Sequence, residues 1–191
     1  MLKMILFFLL LSFCQDTHSD TASSAQLQAE IKQLENALSN YRTPNMYVVI
    51  DTHHNTLQIR KNDQVVHQAI CATGSGKILL HPQKQNKWEF TTPQGLWHVK
   101  RKVTNPIWAK PVWAFVENGD TVPVLPWAFR RLDQTTLGDY ALELGDGYEI
   151  HGTLYPTLLG KNITHGCIRL NDEDLAHTFK LIHTGNRVYI Y

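Results

Sequence analysis

His151-Gly152-Thr153 is followed, twelve positions after His151, by Ile163-Thr164-His165-Gly166-Cys167-Ile168-Arg169-Leu170. These two segments place a lone cysteine between a glycine and an apolar residue, with two histidines close enough in sequence to share one site. A thiolate is the reactive form of cysteine, and an imidazole beside it is a standard arrangement for acyl transfer. The free thiol is mostly protonated at neutral pH, so one of the two rings must take its proton. Either histidine can be that base on these residues alone. His151 ends a strand-like run and can be brought alongside by a returning loop. His165 shares a face with Cys167 only if the backbone between them is extended.

Working outward, the chain reads as short strands separated by turns. Residues 140–144 and 148–151 alternate around Gly145-Asp146-Gly147, which predicts a hairpin. Residues 47–51 and 56–60 flank His53-His54-Asn55 in the same way, and this histidine pair is read as a polar turn. Residues 64–72 give a third strand, closed by Gly74-Ser75-Gly76, and residues 95–101 alternate as a fourth. A helix over 172–183, opened by Asn171 as N-cap with an acidic first turn, precedes a last strand at 187–191. Many short strands with one late helix predict a mainly β domain, a sandwich or barrel.

Between residues 103 and 137 the composition shifts. Asn105-Pro106-Ile107-Trp108, Lys110-Pro111-Val112-Trp113 and Val122-Pro123-Val124-Leu125-Pro126-Trp127 form a proline- and tryptophan-rich insert. A connection this long is usually functional or disordered, and its tryptophans argue against disorder. It is expected to be a flap over substrate, with Trp108 and Trp113 as contacts.

The N-terminus has the form of an export signal. Lys3 precedes an apolar stretch over 4–13 that is broken only by Ser12; at about ten residues it is half the length a relaxed membrane-spanning helix needs. Residues 1–19 are assigned to the signal, with cleavage near Cys14 or Ser19. Leu11-Ser12-Phe13-Cys14 resembles a lipidation site except for the bulky Phe13, so membrane anchoring stays open. Residues 20–45 form an amphipathic helix and linker, with Leu27, Ile31, Leu34 and Leu38 as one stripe and Pro44 ending it. That helix is either a spacer that sets the domain off from a membrane or partner, or a helix packed on the domain's flank. The catalytic domain is assigned to 46–191.

Length and composition narrow the function class. A chain of 191 residues fits one domain with small appendages and can bury a core without disulfides. A formal net charge of +1 offers no electrostatic footprint for nucleic acid. Of the three cysteines, Cys14 leaves with the signal. Cys71 sits in an apolar run, where a thiol behaves as a small hydrophobe, so two free thiols are expected, one inert and one reactive. A zinc site lacks a second cysteine near Cys167 and ligands at recognisable spacing, so no metal is expected.

His151-Gly152-Thr153, Gly160 and Thr164-His165-Gly166-Cys167-Ile168-Arg169-Leu170 together resemble the signature of the L,D-transpeptidase catalytic domain (YkuD family). Thr73-Gly74, Thr92-Pro93-Gln94-Gly95-Leu96-Trp97 and Leu137-Gly138-Asp139-Tyr140-Ala141-Leu142 resemble its other blocks, so the likeness covers about residues 46–191. The resemblance implies that family's mainly β fold and an exported enzyme of the periplasm or cell envelope. Its partner would be a peptidoglycan stem peptide, and no cofactor would be needed. Cys167 would be the nucleophile, His151 the base and His165 a supporting residue. Backbone amides at Gly166 would form the oxyanion hole, while Arg169 and Thr164 would contact substrate. Hydrolysis of the same acyl-enzyme and a non-catalytic peptidoglycan-binding module are the alternatives. Acceptor and oligomeric state are not legible.

Overall fold

The computed structural model describes residues 17–41, 45–62 and 64–191. The proposed signal stretch up to residue 16, including Cys14, lies outside the described residues. The chain divides into two units, the second running from Thr43 to Tyr191. In the first, a helix spans Thr17–Tyr41, starting before the stripe that predicted it. Leu27, Ile31 and Leu34 of that stripe are exposed. Among the described residues, no helix is long and apolar enough to cross a membrane.

The second unit is mainly β, built on two sheets. The five-stranded sheet runs in the order Gln64–Ile70, Thr56–Lys61, Met46–Asp51, Arg187–Ile190, Gly95–His98. Only the pairing of Met46–Asp51 with Arg187–Ile190 is parallel within it. The four-stranded sheet runs Ile168–Arg169, Tyr148–His151, Tyr140–Gly145, Arg101–Thr104. Period-two alternation turns Val48, Ile50, Leu57, Ile59, Val188 and Ile190 inward from the first sheet. Leu142, Leu144, Ile150 and Ile168 of the second sheet join the same cluster. Leu175 and Ile182 close it from the helix Asp172–Leu181 and its C-cap. Each such side chain taken fully out of water contributes about 1.5–3 kcal/mol. As expected, Asn171 caps that helix by accepting from the Asp174 amide at 2.8 Å.

Two stretches depart from the sequence reading. Residues 95–101 are not one strand. The run stops at His98, the Val99 amide bonds to the Asn186 carbonyl, and Arg101–Thr104 continues in the other sheet against Tyr140–Gly145. Alternation persists through the crossing, so the change of partner leaves no trace in the pattern. The insert, in turn, carries its own structure. Trp108–Ala109 pairs with Leu132–Asp133 around a helix at Val112–Glu117 and a 3-10 turn at Phe129–Arg131. The Arg131 guanidinium staples it, donating to the carbonyls of Lys110 at 3.1 Å and Pro123 at 2.9 Å.

A polar network pins the first hairpin to the segment that leads into the cysteine loop. Asn55 stands at φ +53°, a left-handed conformation that asparagine tolerates better than most residues. It is buried; its amide donates to Asn162 Oδ1 at 2.8 Å and its carbonyl oxygen accepts from Thr73 Oγ1 at 2.7 Å. Asn162 donates onward to Thr73 Oγ1 and the Thr52 carbonyl. Replacing Asn55 with alanine adds backbone strain and leaves buried polar atoms unpaired, a loss of about 2–4 kcal/mol. Urea unfolding of Asn55→Ala should show that loss; a change below about 0.5 kcal/mol would contradict the network's role.

Candidate active site

Cys167 sits on a loop between Asn162–Thr164, paired with Thr73–Gly74, and Ile168–Arg169, paired with Tyr148–His151. Short polar contacts fix the loop. Thr164 is fully buried; its hydroxyl donates to the Cys167 carbonyl at 2.6 Å and accepts from the Gly166 amide at 3.1 Å. From the other side, the Thr92 hydroxyl donates to the Gly166 carbonyl at 2.8 Å and accepts from the Gly74 amide at 2.7 Å. Gly166 has φ +123°, and a Cβ there would lie 2.8 Å from the Tyr148 ring and 2.9 Å from the Thr91 carbonyl oxygen. Glycine is required at this position by both conformation and space.

Strand register gives the histidine and the cysteine a common face. Ile150 pairs with Ile168 and His151 with Arg169 in parallel. Ile150 and Ile168 face the core, so alternation turns Glu149, His151, Cys167 and Arg169 to the opposite face. Diagonal neighbours on a sheet face stand about 7–8 Å apart, a gap that a ring and a thiol can close. His151 is buried, and its Nδ1 has no hydrogen-bond partner among the described residues. Such an atom is costly to bury unless it has a task.

Burial keeps both groups neutral at rest. Burial pushes the Cys167 thiol up to about 11, with the Arg169 charge and the Glu149 backbone pulling against it. Burial and the Arg169 charge push His151 down to about 3, opposed by the Gly152 backbone. The half-buried thiol donates weakly to the Gly147 carbonyl at 3.6 Å. Arg169 is itself half-buried, and burial lowers its own pKa. Cys71, the other free thiol, is buried and pushed up to about 12, which fits an inert role.

His165 is held by the insert. Its Nε2 lies 2.7 Å from Glu117 Oε2, its ring stacks on Trp113 with centroids 4.3 Å apart, and Phe90 meets it edge-on at 4.5 Å. Trp113 in turn contacts Trp108 at 5.9 Å. His165 is thus committed to contacts with the insert, while alternation places His151 on the face that Cys167 takes.

Two expected roles change. Thr164 does not face a substrate: it is fully buried and its hydroxyl is committed to the loop backbone. The Gly166 amide already donates to Thr164, whereas the Cys167 amide carries no hydrogen bond among the described residues. Glu117, Phe90, Thr92 and Tyr148 were not singled out from sequence. Thr92 belongs to the threonine-proline block around residues 92–97, and Glu117 has no local signal, because its partner is 48 residues away. Among the described residues, no group of three or more His, Cys, Asp or Glu is placed to hold a metal ion.

The raised thiol pKa gives a pH test. Below about 11 the thiolate fraction falls tenfold per pH unit, to roughly one molecule in ten thousand at pH 7. Iodoacetamide labelling of Cys167 in the free protein should therefore accelerate about tenfold per unit between pH 6 and 9. A plateau below pH 8 would reveal a preformed thiolate–imidazolium pair.

The sequence model of the YkuD L,D-transpeptidase catalytic domain matches residues 45–190. The probable L,D-transpeptidase YbiS of Escherichia coli is 27% identical over 147 residues, covering 76% of this chain and 47% of its own. The putative L,D-transpeptidase YqjB of Bacillus subtilis is 30% identical over 146 residues, covering 75% of this chain and 70% of its own. The chain thus spans about half the length of YbiS and most of YqjB. Among solved structures, the catalytic domain of the Enterococcus faecium L,D-transpeptidase superposes with a TM-score of 0.54 at 15% identity, covering 78% of this chain and 98% of that one. An L,D-transpeptidase from Mycobacterium smegmatis gives a TM-score of 0.55 at 17% identity, over 77% of this chain and 58% of that one. With the cysteine loop, the facing histidine and these likenesses in agreement, the chain belongs to the L,D-transpeptidase (YkuD) family.

Proposed function

We propose that this chain is an exported L,D-transpeptidase that acts on peptidoglycan stem peptides through an acyl-enzyme on Cys167. The observation that carries the reading is the register that turns Cys167 and His151 to one face, with His151 Nδ1 buried and unpartnered. In the resting pair both groups are neutral, so the ring can accept the thiol proton as the sulfur attacks. The target is the carbonyl at the L-centre of the third stem residue. The C–S bond forms, the C–N bond breaks, and the terminal D-alanine leaves with the proton from His151. The Cys167 amide is available to the tetrahedral oxygen, in place of the Gly166 amide expected from sequence. Arg169 beside the pair orients a carboxylate or carbonyl of the substrate. Trp108 and Trp113 wall the insert side, where the insert acts as a flap. The thioester then passes to an amine on a second stem, which makes a cross-link.

Incubating the protein with a disaccharide-tetrapeptide and resolving products by mass tests the reading. A cross-linked dimer is the expected product. Tripeptide without dimer would assign a carboxypeptidase instead. Retained sacculus binding with neither product would leave a binding module. Cys167→Ala should abolish turnover, and His151→Ala should slow it by about 10²–10⁴-fold.

A further inference from the structure

One row of charged side chains crosses the four-stranded sheet and ends at Cys167. Arg101 stands opposite Glu143, and Glu143 opposite Glu149. One register step before the pairing of Ile150 with Ile168, Glu149 is level with Cys167. All four side chains project from the face away from the core, because alternation turns Leu142, Ile150 and Ile168 inward. Neighbouring strands lie about 4.8 Å apart, so a charge at each step of the row is felt at the next. The row is unevenly paired. Arg101 commits its guanidinium to Glu143 through two contacts, at 2.9 Å from Nε and 2.6 Å from a terminal nitrogen. Glu149 is half-buried, and its carboxylate has no hydrogen bond or ion pair of its own among the described residues.

A desolvated carboxylate without a partner is costly, and ionised it opposes a second negative charge on the sulfur beside it. Burial does most to push the Cys167 thiol up to about 11; the Glu149 backbone lowers it, the Glu149 carboxylate raises it and Arg169 lowers it. Burial and Glu143 raise the pKa of Glu149 itself, against Arg101. Arg101, Glu143 and Arg169, with His151 in the next row, are the titratable and charged groups that face this pair from the neighbouring strands. Resting on the reading of Cys167 as nucleophile, we infer that Glu149 is a positioning residue that holds the resting sulfur as thiol, while the Arg101–Glu143 pair withholds the cation that would cancel it. Arg101 lies two strands from Glu149, about 10 Å, a gap that its long side chain narrows once Glu143 releases it. The row leaves proton removal to His151 with substrate in place. It also guards the free sulfur against oxidants, which react with thiolate.

The test is the pH dependence of iodoacetamide labelling at Cys167 in the full chain. Buried Cys71 is the fold control, since it stays unlabelled while the domain is folded. Glu149→Gln should label faster than the unmodified protein throughout the range from about pH 6 to 9. A fall of about one unit in the thiol pKa raises the thiolate fraction tenfold, and the weaker nucleophilicity of a more acidic thiol brings the net gain to about threefold. Glu149→Asp keeps the charge and should label at the original rate. Glu143→Gln frees Arg101 and should also label faster, by about two- to threefold. Arg101→Ala leaves both carboxylates uncancelled and should label more slowly. Loss of the Cys167 thiol to hydrogen peroxide should follow the same order, whereas a merely structural role would move every variant in one direction. Labelling of Glu149→Gln at or below the original rate would overturn the inference, as would Glu143→Gln and Arg101→Ala shifting in the same direction or not at all. Should Glu149→Gln expose Cys71, those last two variants decide alone. Neither readout needs turnover. A failed transfer assay with these shifts intact would remove the acyl-transfer reading and leave the charge row, and the reverse result would remove the row alone.

Discussion

Residues sixteen positions apart in sequence, His151 and Cys167, share a face because the short strand Ile168–Arg169 runs parallel to Tyr148–His151. A parallel pair needs a crossover, and the crossover here is the segment that leads into Cys167. It is anchored at Asn162 by the buried network with Asn55 and Thr73, and at Thr73–Gly74 by a short parallel ladder. From that anchor, the Thr164 hydroxyl folds the chain back on itself and Thr92 clamps it from outside. Gly166 then has to be glycine. The loop is specified by local polar contacts, while the sheet beneath it is specified by burial of Ile150 and Ile168.

The same geometry sets the electrostatic state. A thiol and an imidazole that are both desolvated, with the Arg169 charge nearby, rest as neutral partners. Arg169 acts on the two in opposite senses: it favours the thiolate and disfavours the imidazolium. In the proposed mechanism, charge separation waits until a substrate carbonyl and its amide donors share it. A resting neutral thiol is also a poor target for oxidants, which react with thiolate; that suits a cysteine enzyme working outside the cytoplasm, as proposed here.

Much of the domain was legible in the sequence wherever one face of a strand is buried. The hairpin around His53-His54-Asn55, the hairpin around Gly145-Asp146-Gly147, the capped helix after Asn171 and the last strand all follow from period and turn residues. Legibility failed where tertiary partners decide. Residues 95–101 keep alternating while the chain changes sheets at Val99, so pattern alone joined two strands into one. The insert, dominated by proline and tryptophan, hid a short helix and a two-stranded ladder. At the site, the residue types of Cys167 and His151 were legible as a candidate nucleophile and base, and the family resemblance chose between the two histidines. The cage around His165 could not be read, since Glu117 and Phe90 reach it only through the fold. Thr164 was misassigned because a threonine beside a nucleophile looks the same in sequence whether it meets substrate or backbone.

In the proposed mechanism Cys167, served by His151, carries the acyl group. Intact-protein mass spectrometry of the unmodified chain, quenched early in a reaction with a stem tetrapeptide, should reveal it. The expected adduct equals the peptide minus its terminal residue, maps to Cys167 by digestion, is absent from Cys167→Ala and forms slowly in His151→Ala. Turnover of the tetrapeptide by Cys167→Ala, or an adduct mapped to any other residue, would contradict it.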